Sequence, residues 1–363
     1  SFSKVQEPIV IALASSAAIA LDNQILLQDH KDLLDAFIKV IAQAIDAKSQ
    51  HTSAHCQRVP VLTELIAQAA CETEDGPLST FDLDEGEWYE LRVASWMHDC
   101  GKLATPDSVL DKATKLHLMQ DGIETVKTRF AAAMAQVELQ FLRQTQAQPA
   151  QLNALQDVLA AELAALKDDC LFIEKANVGG EFMKPEDQAH VRRIAGRKWV
   201  DHLGMERPML SEEEVKFLCI ERGTLSFDER QKINDHMKVT VQMLESLPFP
   251  KNLKRVPEYA GGHHEKMDGT GFPRGLKREE MSWPARMMAI ADVFEALTAS
   301  DRPYKQPMKI SQALGILQNM KRQNHIDPDL FDLFVMSRVW EKYARIYLRP
   351  EQLDITDAAT YLQ

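Results

Sequence analysis

Apolar residues near the start of the chain recur at steps of three and four, which predicts one long helix. After Pro8 this segment contains no Gly or Pro, and only Gln24 and Lys31 interrupt the heptad register. Two interpretations are open: a helix packed on the body of the protein, or a parallel coiled coil that joins two copies. The apolar positions of the heptad are Val10, Leu13, Ala17, Ala20, Leu27, Leu34, Ile38, Ile41 and Ile45.

Further helices are predicted in the segment that follows. Residues 51–66 have the pattern of one continuous helix, and residues 87–99 have the pattern of another. The second is preceded by Asp82 and Asp84, which are residue types that cap helix starts. A new turn or helix is expected to begin at residues 105–107.

Residues 116–214 are rich in Ala, Gln and Leu and show no catalytic pattern. Helical periodicity over residues 130–141 and 152–166, with Gln148-Pro149 between them, predicts two antiparallel helices joined by a turn. The histidines of this stretch have no evident partners, and we interpret them as surface residues: His117, His190 and His202.

Two helices are predicted in the last third of the chain. Ser226 and Glu229 have the spacing of a capping box, which would open a helix that carries His236. Residues 285–299 are apolar nearly all round, which predicts a buried helix. Asp292 within it would be a buried charge, which is costly unless the carboxylate is paired or binds a metal.

Composition limits the classes of protein that this chain can belong to. A length of 363 residues suggests one large domain or two unequal units, and 45% hydrophobic residues are enough for a core. The net charge of −12 should repel nucleic acid. An anionic substrate would therefore need a local positive site.

The five cysteines are odd in number and form no CxxC pair. This favours a reducing compartment, and hence a cytoplasmic protein, over a disulfide framework or a thiolate zinc site. No signal peptide is visible, and no uninterrupted apolar run reaches about 18 residues, so no membrane span is predicted. Because the chain begins inside what looks like a continuing helix, we expect it to be a piece of a longer protein.

Histidines next to carboxylates are the candidate chemistry. Neighbouring helix residues point in different directions, so amphipathicity does not explain His98-Asp99. A pair of metal ions would use both side chains, with the His98 imidazole binding one ion and the Asp99 carboxylate bridging two. Lys102 would supply a positive charge for a phosphate. Alone, the dipeptide is weak evidence and is better explained as surface residues. His51 and His55, spaced i and i+4, would face the same side of a helix and suit a shared metal cluster.

The glycine-rich stretch 261–275 is the most specific part of the sequence. The adjacent His263 and His264 can reach two neighbouring ions, and the glycines imply a tight loop. Asp268 and Glu265 are candidate acceptors that would orient the imidazoles. Further on, Arg302 and Lys305 would bring two cations to the end of the helix that carries Asp292.

A set of His and carboxylate ligands without thiolates suits Fe, Mn or similar ions better than a structural zinc. Two ions roughly 3.5 to 4 Å apart can activate a water and stabilise the leaving oxygen of a phosphodiester. Phosphoryl chemistry depends mainly on positioning and charge neutralisation, so cations beside the metals are expected.

Together these motifs resemble the HD-GYP phosphodiesterases. The resemblance covers residues 34–317, apart from about 116–214, which looks like a helical insertion. It implies an all-α HD-domain helical bundle, a non-haem centre of two or three ions, and hydrolysis of cyclic di-GMP to linear pGpG, with GMP as an optional further product. The motifs are HCQRV from His55, HDCGK from His98, His236 alone, HHEKMDGTGFP from His263 and ADVFEALTASDRPYK from Ala291.

The resemblance also assigns roles to residues, position by position. Asp99 and Lys102 would be catalytic, with Asp99 bridging the ions. The implied metal ligands are His55, His98, Asp99, His236, His263, His264 and Asp292. The implied contacts to phosphate, guanine or the rest of the substrate are Lys102, Arg302, Lys305, Asp268 and Gly269.

Two positions depart from the family pattern. Phe272 replaces the signature Tyr, and since that Tyr is not a ligand we expect activity to survive. His51 lies where family members with three metals have a Glu, so either His51 binds a third ion or the site holds two. Other functions consistent with the motifs are a phosphodiesterase that prefers 3',3'-cGAMP and a catalytically weak cyclic-dinucleotide receptor.

The expected organisation has three parts. Residues 1–33 would end a sensor domain and form a signalling helix, since residues 9–28 resemble the last helix of a GAF domain. Residues 34–345 would be the catalytic domain and residues 346–363 a tail. We expect a homodimer through the N-terminal helix, residues 9–48, with a cyclic dinucleotide as substrate and no duplex nucleic acid as partner.

Overall fold

The computed structural model describes residues 7–48, 54–117, 120–147, 152–300 and 307–362. Its strands are β1 (Lys198–Val200) and β2 (Glu206–Pro208), which form an antiparallel pair. The other described residues form helices, 3₁₀ turns and loops, so the predicted all-α fold class is confirmed. In chain order the α-helices are α1 (Glu7–Lys48), α2 (His55–Cys71), α3 (Glu85–Met97), α4 (Asp107–Leu110), α5 (Ile123–Ala147), α6 (Leu152–Val178), α7 (Pro185–Ala195), α8 (Glu212–Leu218), α9 (Phe227–Asn234), α10 (His236–Glu245), α11 (Val256–Gly261), α12 (Trp283–Thr298), α13 (Ile310–Arg322), α14 (Pro328–Met336) and α15 (Val339–Tyr347).

The chain divides into two compact units. The first contains Ser1–Ala104 and Asn234–Gln363, and the second contains Thr105–Ile233. The second unit therefore interrupts the first in sequence. It contains the whole insertion that we predict at residues 116–214 and extends beyond it at both ends. The predicted domain boundaries at residues 33 and 345 stay predictions.

Helix α12 lies at the centre of the first unit. Its residues Ile290 and Phe294 pack with α2, α13, α14 and α15, while Met288 belongs to a second cluster with α1, α3, α10 and α11. Because it is covered by both clusters, α12 can be apolar nearly all round, as the sequence predicts. Its N-cap is Ser282, whose hydroxyl accepts from the backbone N–H of Ala285.

Local capping fixes the start of α3, the helix that leads to His98. The Asp84 carboxylate accepts from the backbone N–H of Glu87 at 2.8 Å, and the Glu87 carboxylate accepts from Asp84 N–H at 3.1 Å. This reciprocal arrangement is a capping box. The predicted box at Ser226 and Glu229 is also present at the start of α9.

Two predicted helices begin differently in the structure. Helix α2 starts at His55, and Ala54 before it has a left-handed backbone with φ of 66°. The helix predicted from residue 51 is therefore interrupted at Ala54. His51 lies outside the described residues, so the predicted common face of His51 and His55 stays a prediction. Likewise, the helix predicted from Ser226 through His236 is two helices, α9 and α10, separated by Asp235.

The predicted long N-terminal helix is present as α1. Its last turns pack on the first unit through the buried residues Ile38, Ala42 and Ile45. Towards its start, apolar residues such as Leu13 and Leu27 are exposed. An 18-residue window of the helix is long and apolar enough to cross a membrane and is 0% buried. A leader sequence passes the same test, so the predicted absence of a membrane span stays a prediction.

The second unit is built mainly on the packing of α5 against α6, where Phe130, Leu166 and Ile173 are buried. The strand pair in this unit was not predicted. The interpretation of the three histidines as surface residues without partners is wrong for His190 and His117. His190 Nε2 lies 3.0 Å from the Asp169 carboxylate and its ring stacks on Phe172. The half-buried His117 accepts a backbone hydrogen bond, whereas His202 is exposed as expected.

Candidate metal centre

Most of the predicted ligands lie at helix ends, and all of those in the described residues converge within the first unit. His55 is the first residue of α2 and His236 the first residue of α10. His98 and Asp99 directly follow α3, and the pair His263-His264 follows α11 by one residue. Asp292 comes from inside α12. His51 lies outside the described residues.

Three of these side chains form a first group, His55, His98 and Asp99. One ligand atom from each lies within 4.8 Å of the others, and all three residues are buried. The Asp99 Oδ2 atom is 3.5 Å from His55 Nε2 and 3.4 Å from His98 Nε2. One carboxylate oxygen thus faces two imidazole nitrogens, a donor set that suits a divalent ion.

A second group consists of His236, His263 and His264, whose ligand atoms also lie within 4.8 Å of one another. The ring centroids of His263 and His264 are 4.4 Å apart, and those of His236 and His264 are 5.3 Å apart. Three imidazoles at this spacing can share one ion.

Asp99 connects the two groups. Its Oδ1 atom lies 3.2 Å from His236 Nε2 in the second group, while Oδ2 faces the first group. A carboxylate placed between two such groups would be able to hold an ion with each of its oxygens. Asp292 lies beside the first group as well, with Oδ1 at 3.2 Å from His55 Nε2.

Backbone carbonyls orient two of the imidazoles. His98 Nδ1 is 2.7 Å from the Ser95 carbonyl, and His263 Nδ1 is 2.6 Å from the Ala260 carbonyl. A carbonyl only accepts, so each Nδ1 carries the proton and each Nε2 presents a lone pair. Among the described residues, His98 Nε2 and His263 Nε2 are buried without a hydrogen-bond partner. Such atoms are costly in a folded protein, and a bound metal would satisfy them.

His55 is oriented by Glu295, which is not among the predicted site residues. Its Nδ1 donates to Glu295 Oε2 at 2.5 Å, and Arg58 Nε donates to Glu295 Oε1 at 2.6 Å. The Glu295 side chain is fully buried. The signal was available, because Glu295 is a second charged residue in the apolar helix that carries Asp292.

The two carboxylates proposed for orienting imidazoles do something else, so that prediction is wrong. Glu265 accepts from the backbone N–H groups of Arg274 and Leu276. Asp268 accepts from the backbone and hydroxyl of Thr270. Within the described part of the chain neither carboxylate bonds to an imidazole. They shape the glycine-rich loop.

That loop folds back tightly on itself. A Cβ atom at Gly271 would lie 2.4 Å from Glu265 Cα, so no larger residue fits there, and Gly269 has φ of 80°. Phe272, which follows Gly271, stacks on the His264 ring with the two ring centroids 4.9 Å apart. The phenyl ring at the position of the signature Tyr therefore packs directly on a candidate ligand.

The centre contains both acids and imidazoles, which shift each other's pKa. Burial alone would raise the pKa of Asp99, but Lys102 and the imidazoles hold it well below its usual range. Burial would lower the pKa of His55, yet the neighbouring carboxylates, Glu295 foremost, raise it well above its usual range. Burial lowers the pKa of His264 to about 4 and also lowers that of His263. The lowered pKa values of the two adjacent histidines favour the neutral imidazole, which is the form that binds a metal.

The predicted substrate contacts are only partly described. Lys102 Nζ lies 2.5 Å from Asp99 Oδ2, which places its positive charge at the centre. Asp268 and Gly269 lie on the glycine-rich loop. Arg302 and Lys305 lie outside the described residues.

Comparison with known proteins gives a family match and several relatives. Residues 213–330 match the model of the HD domain family. The chain is 36% identical over 308 residues to 3'3'-cGAMP-specific phosphodiesterase 3 of Vibrio cholerae, covering 84% of this chain and 40% of that protein. It is 24% identical over 212 residues to the cyclic di-GMP phosphodiesterase of Thermotoga maritima, covering 54% and 56%. A cyclic di-GMP phosphodiesterase of Vibrio cholerae is 32% identical over 133 residues, covering 36% and 26%.

The chain thus spans between 26% and 56% of the length of these relatives. The HD domain match includes His236, His263, His264 and Asp292, whereas the first group, His55, His98 and Asp99, precedes it in sequence. The relatives are named as phosphodiesterases of cyclic dinucleotides, and residues 213–330 of this chain are similar to the HD domain family.

Proposed function

We propose that this chain is the catalytic part of an HD-GYP phosphodiesterase that hydrolyses cyclic di-GMP to linear pGpG, with GMP as a possible second product. The single observation that carries the proposal is Asp99, whose two carboxylate oxygens face two separate groups of imidazoles. A carboxylate between two divalent ions is a recurring feature of enzymes that cleave phosphodiesters. The names of the relatives support the same reaction.

We infer two divalent ions, iron first and manganese as the alternative, with a third if His51 is a ligand. Such ions would supply an activated water and neutralise charge on the leaving oxygen. Asp292 would complete the ligand set. Lys102, with Arg302 and Lys305, would hold the phosphates and bases of the substrate, since phosphoryl transfer depends on positioned positive charge.

The proposal is tested with protein purified without oxygen and loaded with Fe²⁺ or Mn²⁺. We expect cyclic di-GMP to be converted to pGpG, and Asp99→Asn to lower the rate by at least about 10²-fold. The control is Asp157→Asn, which changes the same side chain at an exposed position of α6 and should leave the rate unchanged. A fully metal-loaded wild type that leaves every cyclic dinucleotide intact would contradict the proposal.

A second candidate substrate is 3',3'-cGAMP. The observation in its favour is that the relative covering 84% of this chain is named for that nucleotide. The two candidates differ by one base, which only contacts to that base can distinguish. Competition between equal concentrations of cyclic di-GMP and 3',3'-cGAMP, with both products measured, decides between them.

We also propose that the first half of α1 pairs with a second copy in the cytoplasm, following a GAF-like sensor domain. Leu13 and Leu27 are exposed at 65% and 70%, at positions of the predicted heptad. The double variant Leu13→Glu, Leu27→Glu should convert a dimer to a monomer in light scattering. A wild type that is monomeric at all concentrations, or soluble only with detergent, would contradict this pairing.

A further inference from the structure

The last turn of α1 contacts both polypeptide segments that supply the first group of the metal centre. Asp46 reaches the start of α2, next to His55, and Lys48 reaches the 3₁₀ turn Cys100–Ala104, which directly follows Asp99. We infer that the last turn of α1 is a positioning element, in which Asp46 and Lys48 fix the distance between His55 and Asp99. The inference rests on the proposed metal-dependent function.

The first contact supplies a helix cap from another helix. The first N–H groups of an α-helix have no partner within the helix, and the residue before it usually provides a side-chain oxygen. Here that residue is Ala54, which provides no side-chain cap. Instead, the buried Asp46 carboxylate accepts from the backbone N–H of Cys56 at 3.2 Å. A carboxylate at the start of α2 is also favoured by the helix dipole.

The second contact holds the segment after Asp99. Lys48 Nζ donates to the backbone carbonyl of Leu103 at 2.5 Å. In the same turn the backbone N–H of Lys102 donates to the Asp99 carbonyl at 2.9 Å. A shift of the Leu103 carbonyl is therefore transmitted directly to Lys102 and Asp99.

The part of α1 that directly precedes these two contacts is packed into the core of the first unit. Ile38, Ala42 and Ile45 are buried in the same cluster as Val93 and Met97 of α3, which leads to His98. Helix α1 has 42 residues, so it extends about 63 Å. Rotation or bending of its exposed first half would act on both contacts at once, which would couple that half to the metal centre.

The test measures Mn²⁺ affinity, by the electron paramagnetic resonance signal of free Mn²⁺, beside the melting temperature and the phosphodiesterase rate. We expect Asp46→Ala to weaken Mn²⁺ binding about 10- to 100-fold. Asp46→Asn should weaken it much less, because the amide oxygen still accepts from Cys56. Lys48→Met, which keeps the apolar stem, should weaken binding several-fold. The matched controls Asp29→Ala and Lys39→Met alter exposed residues of the same helix and should bind Mn²⁺ normally.

The variant Leu317→Ala separates a general loss of stability from a specific loss of Mn²⁺ binding, because Leu317 is buried in the other cluster of the first unit. It should lower the melting temperature without weakening Mn²⁺ binding. Asp46→Ala combined with Lys48→Met should bind little worse than the weaker single variant, because either loss already releases the distance between His55 and Asp99.

Three results would overturn the inference: normal Mn²⁺ affinity in Asp46→Ala, equal loss in Leu317→Ala, or fully additive losses in the double variant. A wild type that binds Mn²⁺ but cleaves no cyclic dinucleotide would contradict only the proposed function.

Discussion

Replacement of Glu295 tests how the metal centre is held in place. The Glu295 carboxylate accepts from His55 Nδ1 at 2.5 Å and from Arg58 Nε at 2.6 Å, and Arg58 Nη2 is also 2.6 Å from Oε1. Through the first bond it fixes the proton on Nδ1 and turns Nε2 towards Asp99 and Asp292. Through the second it neutralises an arginine that is 16% exposed.

The magnitude follows from these contacts. Hydrogen bonds to charged groups contribute about 1.5 to 3 kcal/mol each. Loss of the partner that orients a metal-binding histidine typically weakens metal binding about 10- to 100-fold, which corresponds to about 1.4 to 2.7 kcal/mol. Because Glu295 is fully buried, solvent does not screen its interactions. Removing it should also lower the free energy of unfolding by about 3 to 5 kcal/mol, since Arg58 and His55 then lose a buried carboxylate that both contact.

The assay is Mn²⁺ titration beside chemical denaturation of Glu295→Ala and Glu295→Gln. Gln retains an oxygen that can accept from His55, so its Mn²⁺ affinity should fall less than that of Ala. The control is Glu64→Ala, which breaks the surface pair with Arg92 in the same unit and should change stability by only about 0 to 1 kcal/mol. A folded Glu295→Ala protein with wild-type Mn²⁺ affinity would refute the positioning role.

Two further predictions concern pH and metal removal. Burial would raise the pKa of Glu229, but the hydrogen bond from Lys112 at 2.7 Å lowers it below its usual range. The pair therefore stabilises the second unit at pH values above the pKa that Glu229 has in the unfolded chain. This contribution is lost as the pH falls through the pKa of Glu229 in the folded protein. Glu229→Gln should cost about 1 to 3 kcal/mol at pH 6, and urea denaturation should show the difference shrinking towards pH 3; a constant difference would contradict the assignment. Chelation of Mn²⁺ present at 100 times its Kd should remove about 2.7 kcal/mol of stability, measured by thermal melting, whereas Asp99→Asn should melt nearly alike with and without chelator.

Features determined by neighbouring residues could be predicted from the sequence. The capping boxes at Asp84 and Ser226 depend on residues three positions apart, and the helical periods of α1 and α12 depend on local spacing. The candidate ligands were identifiable from the combination of motifs, because His98-Asp99 is weak evidence alone but gains weight from two adjacent histidines in a glycine-rich loop. Their convergence in space then follows from how the helices pack.

Other features depend on contacts between residues far apart in sequence. Glu295 and His55 are 240 residues apart, so nothing near either one indicates the bond. The left-handed backbone of Ala54 has no residue-type signal, since Ala rarely adopts it. Strands of three residues, as in β1 and β2, are too short for alternation to show. In α1 the heptad suggests one continuous interface, whereas the structure buries Ile38 and Ile45 against the body and leaves Leu13 exposed.

His98, His263 and His55 are oriented in two ways, which follow from the end of the helix that each one occupies. His98 and His263 follow helices, where the last backbone carbonyls have no partner within the helix. Each Nδ1–H satisfies such a carbonyl, so one bond completes the helix end and also aims Nε2 at the centre. His55 begins a helix, where the unpaired groups are N–H donors that an Nδ1–H cannot use. It therefore needs the Glu295 carboxylate from α12, and the adjacent N–H of Cys56 needs the Asp46 carboxylate from α1. Since His55 depends on these side chains from α12 and α1, loss of Glu295 or Asp46 should weaken the group that contains His55 more than the group of His236, His263 and His264.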